Sequence, residues 1–499
     1  MKNKIISLIL SLVLILSVCT ITSPVAFAVN FKTGTIALFN GEEGSETEQV
    51  AFIPQKYSDE LYDAMYDGVI SCADNIDLSS YSVSTNDIGW VYSSLFNNHP
   101  DLFYLSQQFS YAYYEDGTVA YILPEYKYTG DTLTEAIADY NERLDVIANH
   151  FSDLSDVEAI VAVNDYLAAH YEYDSDGLIT DPANAIRDAY TMLLEKKAVC
   201  QGYSLLFSAI VEKLNIECAS VVSLSMNHQW NVVKLGDYWY HIDVTWDDPT
   251  GVPDGYTYHD YMLHSDEAMS ERLGHYDWVR IDNKTDACVD TTYDDWAWTE
   301  TNTQLTPHNG KWYYTRNTQS GIDIVEISNN GTRVVYSQEE VWNVWGSPEY
   351  IYTTSMATAT WDKNWMLYHS QDKLYCYDTI LDQVFFLTEL DTAIGYVYFI
   401  HIDDDMLEYV VSENPSDFTN ATHLQLDMSD IHYSSDVNRD GLTTTADILT
   451  LTHIILGNSN SENKQHTDVD CNGMFDSSDL LYLQQISLGI ATPSVIYND

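Results

Sequence analysis

Positive charge is scarce in this chain. Lysine and arginine number 21 against 76 aspartates and glutamates, a formal net charge of −55. A surface of that sign repels nucleic acid and anionic lipid and gathers cations. Neither nucleic acid nor a membrane surface is therefore expected as a partner, and the simplest use of the charge is solubility outside the cell. Long apolar runs are scarcer still. Ile5 to Val18, behind Lys2 and Lys4 and ahead of Ala26-Phe27-Ala28, has the layout of a secretory signal peptide over residues 1–28. Cys19 follows Leu16-Ser17-Val18, but Val18 is too large for a lipid-attachment signal. No later run approaches the ~20 apolar residues that span a bilayer, so no membrane insertion is expected after signal removal. Cysteine is thin as well. Of seven in the chain, those beyond the signal (Cys72, Cys200, Cys218, Cys288, Cys376 and Cys471) are scattered. That spacing excludes a small-domain disulfide framework, and no close Cys/His grouping suggests zinc. What remains is ample for folding: 45% hydrophobic residues over 499 positions, a length that suggests about three domains.

One stretch stands out. Lys196 and Lys197 lead into Ala198-Val199-Cys200-Gln201-Gly202-Tyr203, and Leu205, Leu206, Ala209, Ile210 and Leu214 recur at helical spacing behind it. The pattern predicts a helix that begins at Cys200, where the positive end of the dipole favours a thiolate. Ile216 to Leu224 reads as a strand. His228 to Leu235 and Tyr238 to Val244, joined by Gly236-Asp237, read as a hairpin. With a two-residue turn, Leu235 faces Tyr238 and Trp230 faces Asp243. His228 is then the diagonal neighbour of Asp243 on one face, at roughly 7–8 Å between Cα atoms. An acid can thus fix an imidazole, and the preceding helix can aim a thiol at it. That is the arrangement of an activated nucleophile, with Cys200 attacking, His228 moving its proton and Asp243 setting the tautomer. His241 shares a face with Asp243 but lies opposite Val232, further from the helix mouth, so His228 is preferred. His170 reads as a solvated or dipole-facing histidine. Trp230 and Trp246 are candidates for lining a substrate groove, with core packing as the alternative.

These segments resemble the transglutaminase-like family. The resemblance is carried by Lys197 to Tyr203, by His228-Gln229-Trp230-Asn231, and by Trp239-Tyr240-His241-Ile242-Asp243-Val244-Thr245-Trp246-Asp247-Asp248-Pro249. Asn164-Asp165-Tyr166-Leu167 with Tyr171 to Asp174 adds an upstream piece, so it runs from about Val157 to Trp278. It implies a papain-like α+β core and thiol acyl-transfer chemistry on an amide, with a protein or peptide as substrate and no cofactor for catalysis. Gln229 stands where bacterial members often carry a small residue, and it is expected to alter the mouth of the site.

The rest of the chain divides around this core. Residues 29 to about 45 read as a loose leader. Helical patterns over Tyr57–Cys72 and Ile88–Phe96, strands from Asp101, and a hairpin over Phe109–Leu123 make an N-terminal α+β domain at 29–140. Ser155 and Glu158 have capping-box spacing and open a helix in the catalytic domain at 141–285. From 286 to 430 short aromatic runs separated by turns predict a β-rich meander, with a propeller among the arrangements that fit. At 431–493 a duplicated pattern appears. Asp436, Asn438, Asp440, Leu442, Thr444 and Asp447 stand at loop positions 1, 3, 5, 7, 9 and 12, with Gly441 at position 6. Asp468, Asp470, Asn472, Met474, Asp476 and Asp479 repeat the spacing around Gly473. This is calcium-loop geometry, with the main-chain carbonyl serving at position 7 and Asp closing the loop in place of Glu. Each loop runs into a helix ending in Leu-Gly. The duplication resembles a type I dockerin, a small all-α module. That implies two calcium ions and a cohesin domain of a scaffold protein as partner, with Thr445, Ala446, Ser477 and Ser478 at the contact positions.

The sequence therefore predicts an α+β multidomain protein, secreted, with a Cys200-His228-Asp243 acyl-transfer centre docked to a cellulosome-type complex. Hydrolysis is favoured over crosslinking because no lysine-accepting feature is visible. A cysteine endopeptidase and a non-catalytic binding or structural module of a polysaccharide-degrading complex remain as rivals. A glycoside hydrolase would need a paired-carboxylate motif, and none is seen.

Overall fold

The computed structural model describes residues 31–37, 57–180, 185–251, 255–339, 342–343, 351–352, 358–359, 365–392, 395–403, 405–413, 421–458 and 467–497. The signal peptide read at 1–28 and most of the leader lie outside them. Among the described residues no helix is long and apolar enough to cross a membrane.

The first sheet runs in the order Lys32–Ala37, Leu105–Tyr113, Val119–Tyr126, Ile76–Asp77. Lys32–Ala37 corrects the reading of 29–45 as loose leader: it pairs antiparallel with Leu105–Tyr113, from Lys32 opposite Tyr113 to Ala37 opposite Gln108. Thr33, Thr35 and Ile36 are β-branched and suit a strand, but their partner lies about 70 residues on, where a local pattern does not reach. Pro100–Leu102 forms a 3₁₀ turn rather than the start of a strand, because proline is preset for the first helical position. Helices Asp59–Ile70 and Ile88–Asn98 flank this sheet. Helix Asp156–His170 opens on the capping box, with Glu158 accepting from the Ser155 amide at 3.0 Å.

The cysteine helix is set by what precedes it. A short helix, Ala189–Glu195, stops at Lys196 in the left-handed region. Lys197–Ala198 then pairs in parallel with Glu172–Tyr173, and Val199 is extended, so the next helix starts at Cys200 and runs to Lys213. Every residue from Gln201 to Val211 is buried, while Cys200 at the tip is partly open. A helix buried on all sides is a core element, and this one joins an apolar cluster that takes in side chains from Ile36 to Ile327.

Against it lies a five-stranded antiparallel sheet in the order Met262–His264, Tyr238–Ile242, His228–Leu235, Cys218–Ser223, Trp278–Arg280. Leu235 pairs with Tyr238 across the two-residue turn, and Asn231 with Ile242. Gly236 supplies the positive φ that the turn needs.

The β-rich stretch consists of sheets whose strands follow chain order. Thr306–Pro307 to Gly331–Gln338 makes one, Thr358–Ala359 to Gln383–Glu389 another, and Tyr396–Asp403 to Thr422–Asp427 a third. At the C-terminus helices Thr445–Ile455 and Ser477–Ser487 close on a small core of Val437, Leu451, Val469 and Leu483. The flanks of this unit, Ile431–Tyr433 and Val495–Tyr497, pair with each other. Ile431 and Val495 pack into the same apolar cluster as Trp365 and Leu407. The Tyr433 hydroxyl donates to Asp378 at 2.6 Å.

Gly202 fixes the seat of the cysteine helix. A methyl group there would lie 2.4 Å from the Ala198 Cβ, an atom attached directly to backbone. Gly202→Ala should therefore cost about 1–3 kcal/mol, as overpacking does, and should displace Cys200. Denaturant midpoints and the rate of Cys200 alkylation by iodoacetamide measure both effects. An unchanged midpoint with an unchanged rate would show that this contact does not seat the helix.

Candidate active site and calcium loops

Asp243 leaves the sheet early. The sequence pattern continues its strand to Val244, whereas the strand ends at Ile242 and Asp243 caps a helical turn, Val244–Asp247. An Asp side chain offers the backbone this alternative to a ladder. Its Oδ1 accepts from the Trp246 amide at 3.3 Å. Its Oδ2 receives His228 Nε2 at 2.6 Å and His275 Nε2 at 2.9 Å. With Nε2 engaged, Nδ1 is the His228 nitrogen left for Cys200, whose proximity helps raise the imidazole's pKa.

The electrostatics follow from burial and its compensation. Burial by itself lowers the His228 pKa, but the Asp243 carboxylate and then Cys200 outweigh it and hold the imidazole up at about 10. Burial likewise raises Asp243, yet the charge and hydrogen bond of His228, followed by His275, bring it down to about 2. The pair is thus favoured as imidazolium and carboxylate, the form that stabilises a neighbouring thiolate.

The two tryptophans are placed differently. Trp246 is 37% exposed and stacks on His228 with ring centroids 5.4 Å apart. Trp230 is only 1% exposed, stacked 5.6 Å from His228 on a wall closed to solvent, so it does not line an open groove. Its indole N–H donates to His241 Nδ1 at 3.0 Å, and His241 Nε2 meets Asp266 at 2.8 Å. His241 is accordingly engaged away from Asp243. The fold also brings Cys288 next to Asp266, an association of Cys, His and Asp that the sequence order hides. The indole proton on Nδ1 assigns the ring proton to Nε2, toward Asp266, which makes this a hydrogen-bonded dyad rather than a lone pair offered to a metal.

Gln229 corrects another expectation. It is 4% exposed and donates to Ser204 Oγ at 3.2 Å, beneath the sheet, and so does not reach the mouth of the site. Strand alternation sends it to the face opposite His228. His170 is no solvated histidine either: its ring nitrogens face the carbonyls of Tyr166 at 2.8 Å and Ile402 at 2.7 Å. His275 was not signalled by any motif. It follows Gly274 in a loop, 32 positions beyond Asp243, and only the closure of the loop onto the hairpin reveals it.

The C-terminal loops gather oxygen donors. In the first, Asp436 accepts from the Asp440 and Gly441 amides at 3.2 and 2.9 Å, and Asp447 from Asn438 and Thr444 at 3.1 and 2.7 Å. In the second, Asp468 accepts from Asn472 and Gly473 at 3.0 and 2.7 Å, and Asp479 from Val469 and Asp476, both at 2.8 Å. Gly441 and Gly473 share φ 83°. Carboxylate oxygens of Asp468, Asp470 and Asp479 lie within 4.8 Å of one another. Leu442 and Met474 point their side chains outward, 63% and 61% exposed, so their value to a cation is the main-chain carbonyl. All of these are hard donors of the kind calcium takes. Thr445, Ala446 and Ser477 are exposed on the first helical turns, and Ser478 is half-buried beside Asp476.

Comparison with known proteins agrees with this division. Residues 146–244 match the Transglutaminase-like superfamily, and residues 434–486 match the Dockerin type I domain. The kyphoscoliosis peptidase of Mus musculus is 26% identical over 106 residues, a match covering 18% of this chain and 16% of that protein. The chain thus spans about a sixth of the curated relative it matches. A crystal structure of a TGase is 17% identical, with 30% of this chain and 47% of that one covered and a TM-score of 0.21. The chain carries a transglutaminase-like core domain and, C-terminal to it, a type I dockerin domain, which implies a cellulosome-type component.

Proposed function

We propose that this protein is a secreted thiol acyl-transfer enzyme acting on protein or peptide amides, delivered to a cohesin-bearing scaffold by its dockerin. The carrying observation is the 2.6 Å contact of His228 Nε2 with Asp243 Oδ2 beside the helix tip that presents Cys200. In this reading the Cys200 proton already rests on His228 Nδ1 as a thiolate–imidazolium pair, and the Sγ thiolate attacks the amide carbonyl carbon. The tetrahedral intermediate then collapses, the C–N bond breaks, and the amine leaves with the proton from His228. Water or an amine resolves the thioester, and water is favoured because the sequence shows no obvious lysine-accepting feature. The Cys200 amide, an unpaired first-turn donor by position, is the proposed oxyanion partner. Trp246 forms the proposed wall of the substrate groove. The proposed domains are 29–140, 141–285, 286–430 and 431–493 behind a signal peptide. Two calcium ions belong to the dockerin and none to the chemistry.

Cys200→Ala should lower activity by ~10³-fold or more with the fold intact, since such a triad acts as one unit. Retention of a tenth of the wild-type rate would remove Cys200 from the nucleophile's role. Casein, offered with a labelled amine, separates the outcomes. Fragments mean peptide hydrolysis, ammonia without fragments means deamidation, and label incorporation means transamidation. An unreactive Cys200 with none of these favours the non-catalytic module.

The charged pair also makes stability depend on pH. The folded value of His228 lies above its ordinary 6.5, so its contribution is complete below about pH 6.5 and is lost as pH rises through about 10. Asp243 is lowered, so its contribution is present above the ordinary carboxylate range and fades as pH falls toward 2. The denaturation midpoint of the wild type should exceed that of His228→Gln at pH 6, and the gap should close by pH 10.5. A constant gap would contradict the ion pair.

Chelation should act on docking alone. Without calcium the clustered carboxylates repel, and the two short helices have little core of their own. Residues from about Ser435 to Ile490 should unfold and cohesin capture should fail, while Cys200 keeps reacting with iodoacetamide. Simultaneous loss of both would show that the two ends of the chain are coupled.

A further inference from the structure

Asp243 has no exposed surface at all, yet the site requires it charged. A carboxylate taken out of water is stable only if donors replace the lost hydration. Two of its three donors are ring nitrogens converging on one oxygen, Oδ2: His228 at 2.6 Å and His275 at 2.9 Å. The third, the Trp246 amide, is on Oδ1 at 3.3 Å. His275 is itself completely buried and boxed by Trp246, Trp230 and Tyr261, at centroid distances of 4.4, 4.7 and 5.5 Å. Its amide donates to the Met269 carbonyl at 3.0 Å, which fixes the loop. Its Nδ1 is buried with no hydrogen-bond partner. The ring therefore has one polar engagement, and that engagement is with Asp243.

We propose that His275 is a positioning residue: it holds Asp243 Oδ2 with a second N–H beside that of His228, so that the carboxylate stays in line with His228 Nε2. The inference deepens the proposed Cys200-His228-Asp243 chemistry and rests on it. Nε2 carries a proton in both the Nε2–H neutral tautomer and the cation, so the donation to Oδ2 survives either state. A rigid aromatic box with one N–H aimed at the acid is the arrangement expected of a group that orients another. Without that donor, the buried carboxylate has less support for its charge and a second rotamer to visit. It then holds the His228 imidazolium less well. The titratable groups facing the pair and His275 include Cys200 at the helix tip, Asp247 in the turn after Asp243, Tyr261, Tyr173, and His241 on the far side of Trp230.

The test is the titration of His228, read by carbon-13 labelling of the histidine rings in the full chain, with His228→Gln assigning the signal. His275→Phe fills the box without a donor, and His275→Gln keeps an amide N–H at a similar reach. His228 should titrate at least one pH unit lower in His275→Phe than in the wild type, and His275→Gln should recover most of that shift. The amidase rate should fall about tenfold in His275→Phe with substrate KM little changed, one pH unit being a tenfold change in proton equilibrium. A His228 titration unchanged in His275→Phe, with only the melting temperature reduced, would make His275 a packing residue and overturn the proposal. If His275→Phe does not fold, the wild type still decides. A slowly exchanging, downfield His275 Nε2 proton supports the bond to Asp243, and its absence overturns it. None of these titrations uses a substrate. A protein without amidase activity whose His228 titration still responds to His275 would therefore sink the enzyme reading and leave this one standing.

Discussion

A single carboxylate without access to water governs the architecture around it. Asp243 caps one turn of helix with Oδ1 and receives two imidazoles with Oδ2. An isolated charge at such a depth would be protonated. The site avoids this by ending a strand one residue early, by folding a loop back so that His275 arrives, and by starting the neighbouring strand at His228. Each of those local choices gives up an ordinary feature, such as a ladder position or a solvated histidine. The return is an acid favoured in its ionised form and an imidazole favoured as the cation beside the Cys200 sulfur.

The thiol side depends on packing instead of charge. The helix behind Cys200 is buried along its length, and its first turn sits on Ala198 with only a glycine's width between them. The tip is therefore fixed by close contact, and Cys200 is the part left partly open. The two ends of the chain use different means of support. The cysteine helix belongs to a large apolar cluster, whereas the dockerin helices share a core of four buried apolar side chains and a set of acidic loops. A unit that small generally needs a metal to fold. Its flanking strands pair with each other and pack into the apolar cluster of the β-rich region.

Much of this is legible in the sequence because it is local or periodic. The helix behind Cys200 shows in Leu205, Leu206, Ala209 and Ile210. The turn at Gly236-Asp237 sets the register of Leu235 with Tyr238, and the twelve-residue loops announce themselves by spacing and by their repetition. What escapes is decided by contacts across long separations. Lys32–Ala37 is a strand only because Leu105–Tyr113 offers an edge. Trp230 is a buried wall because His241 and Asp266 tether its indole from behind. Asp243 leaves the strand because its side chain caps the next turn, a competition that a period-two pattern does not register. His275 is the clearest instance, a histidine in an irregular loop with no signature until the chain closes.

The proposed chemistry turns on transfer of an acyl group to Cys200. The most direct measurement is mass spectrometry of the protein quenched in acid during turnover of a glutamine-containing peptide, followed by proteolysis and mapping of the added mass. A thioester is expected on the peptide containing Cys200, sensitive to hydroxylamine and absent in Cys200→Ala. Turnover without any adduct on Cys200, or an adduct at another residue that persists in Cys200→Ala, would contradict it.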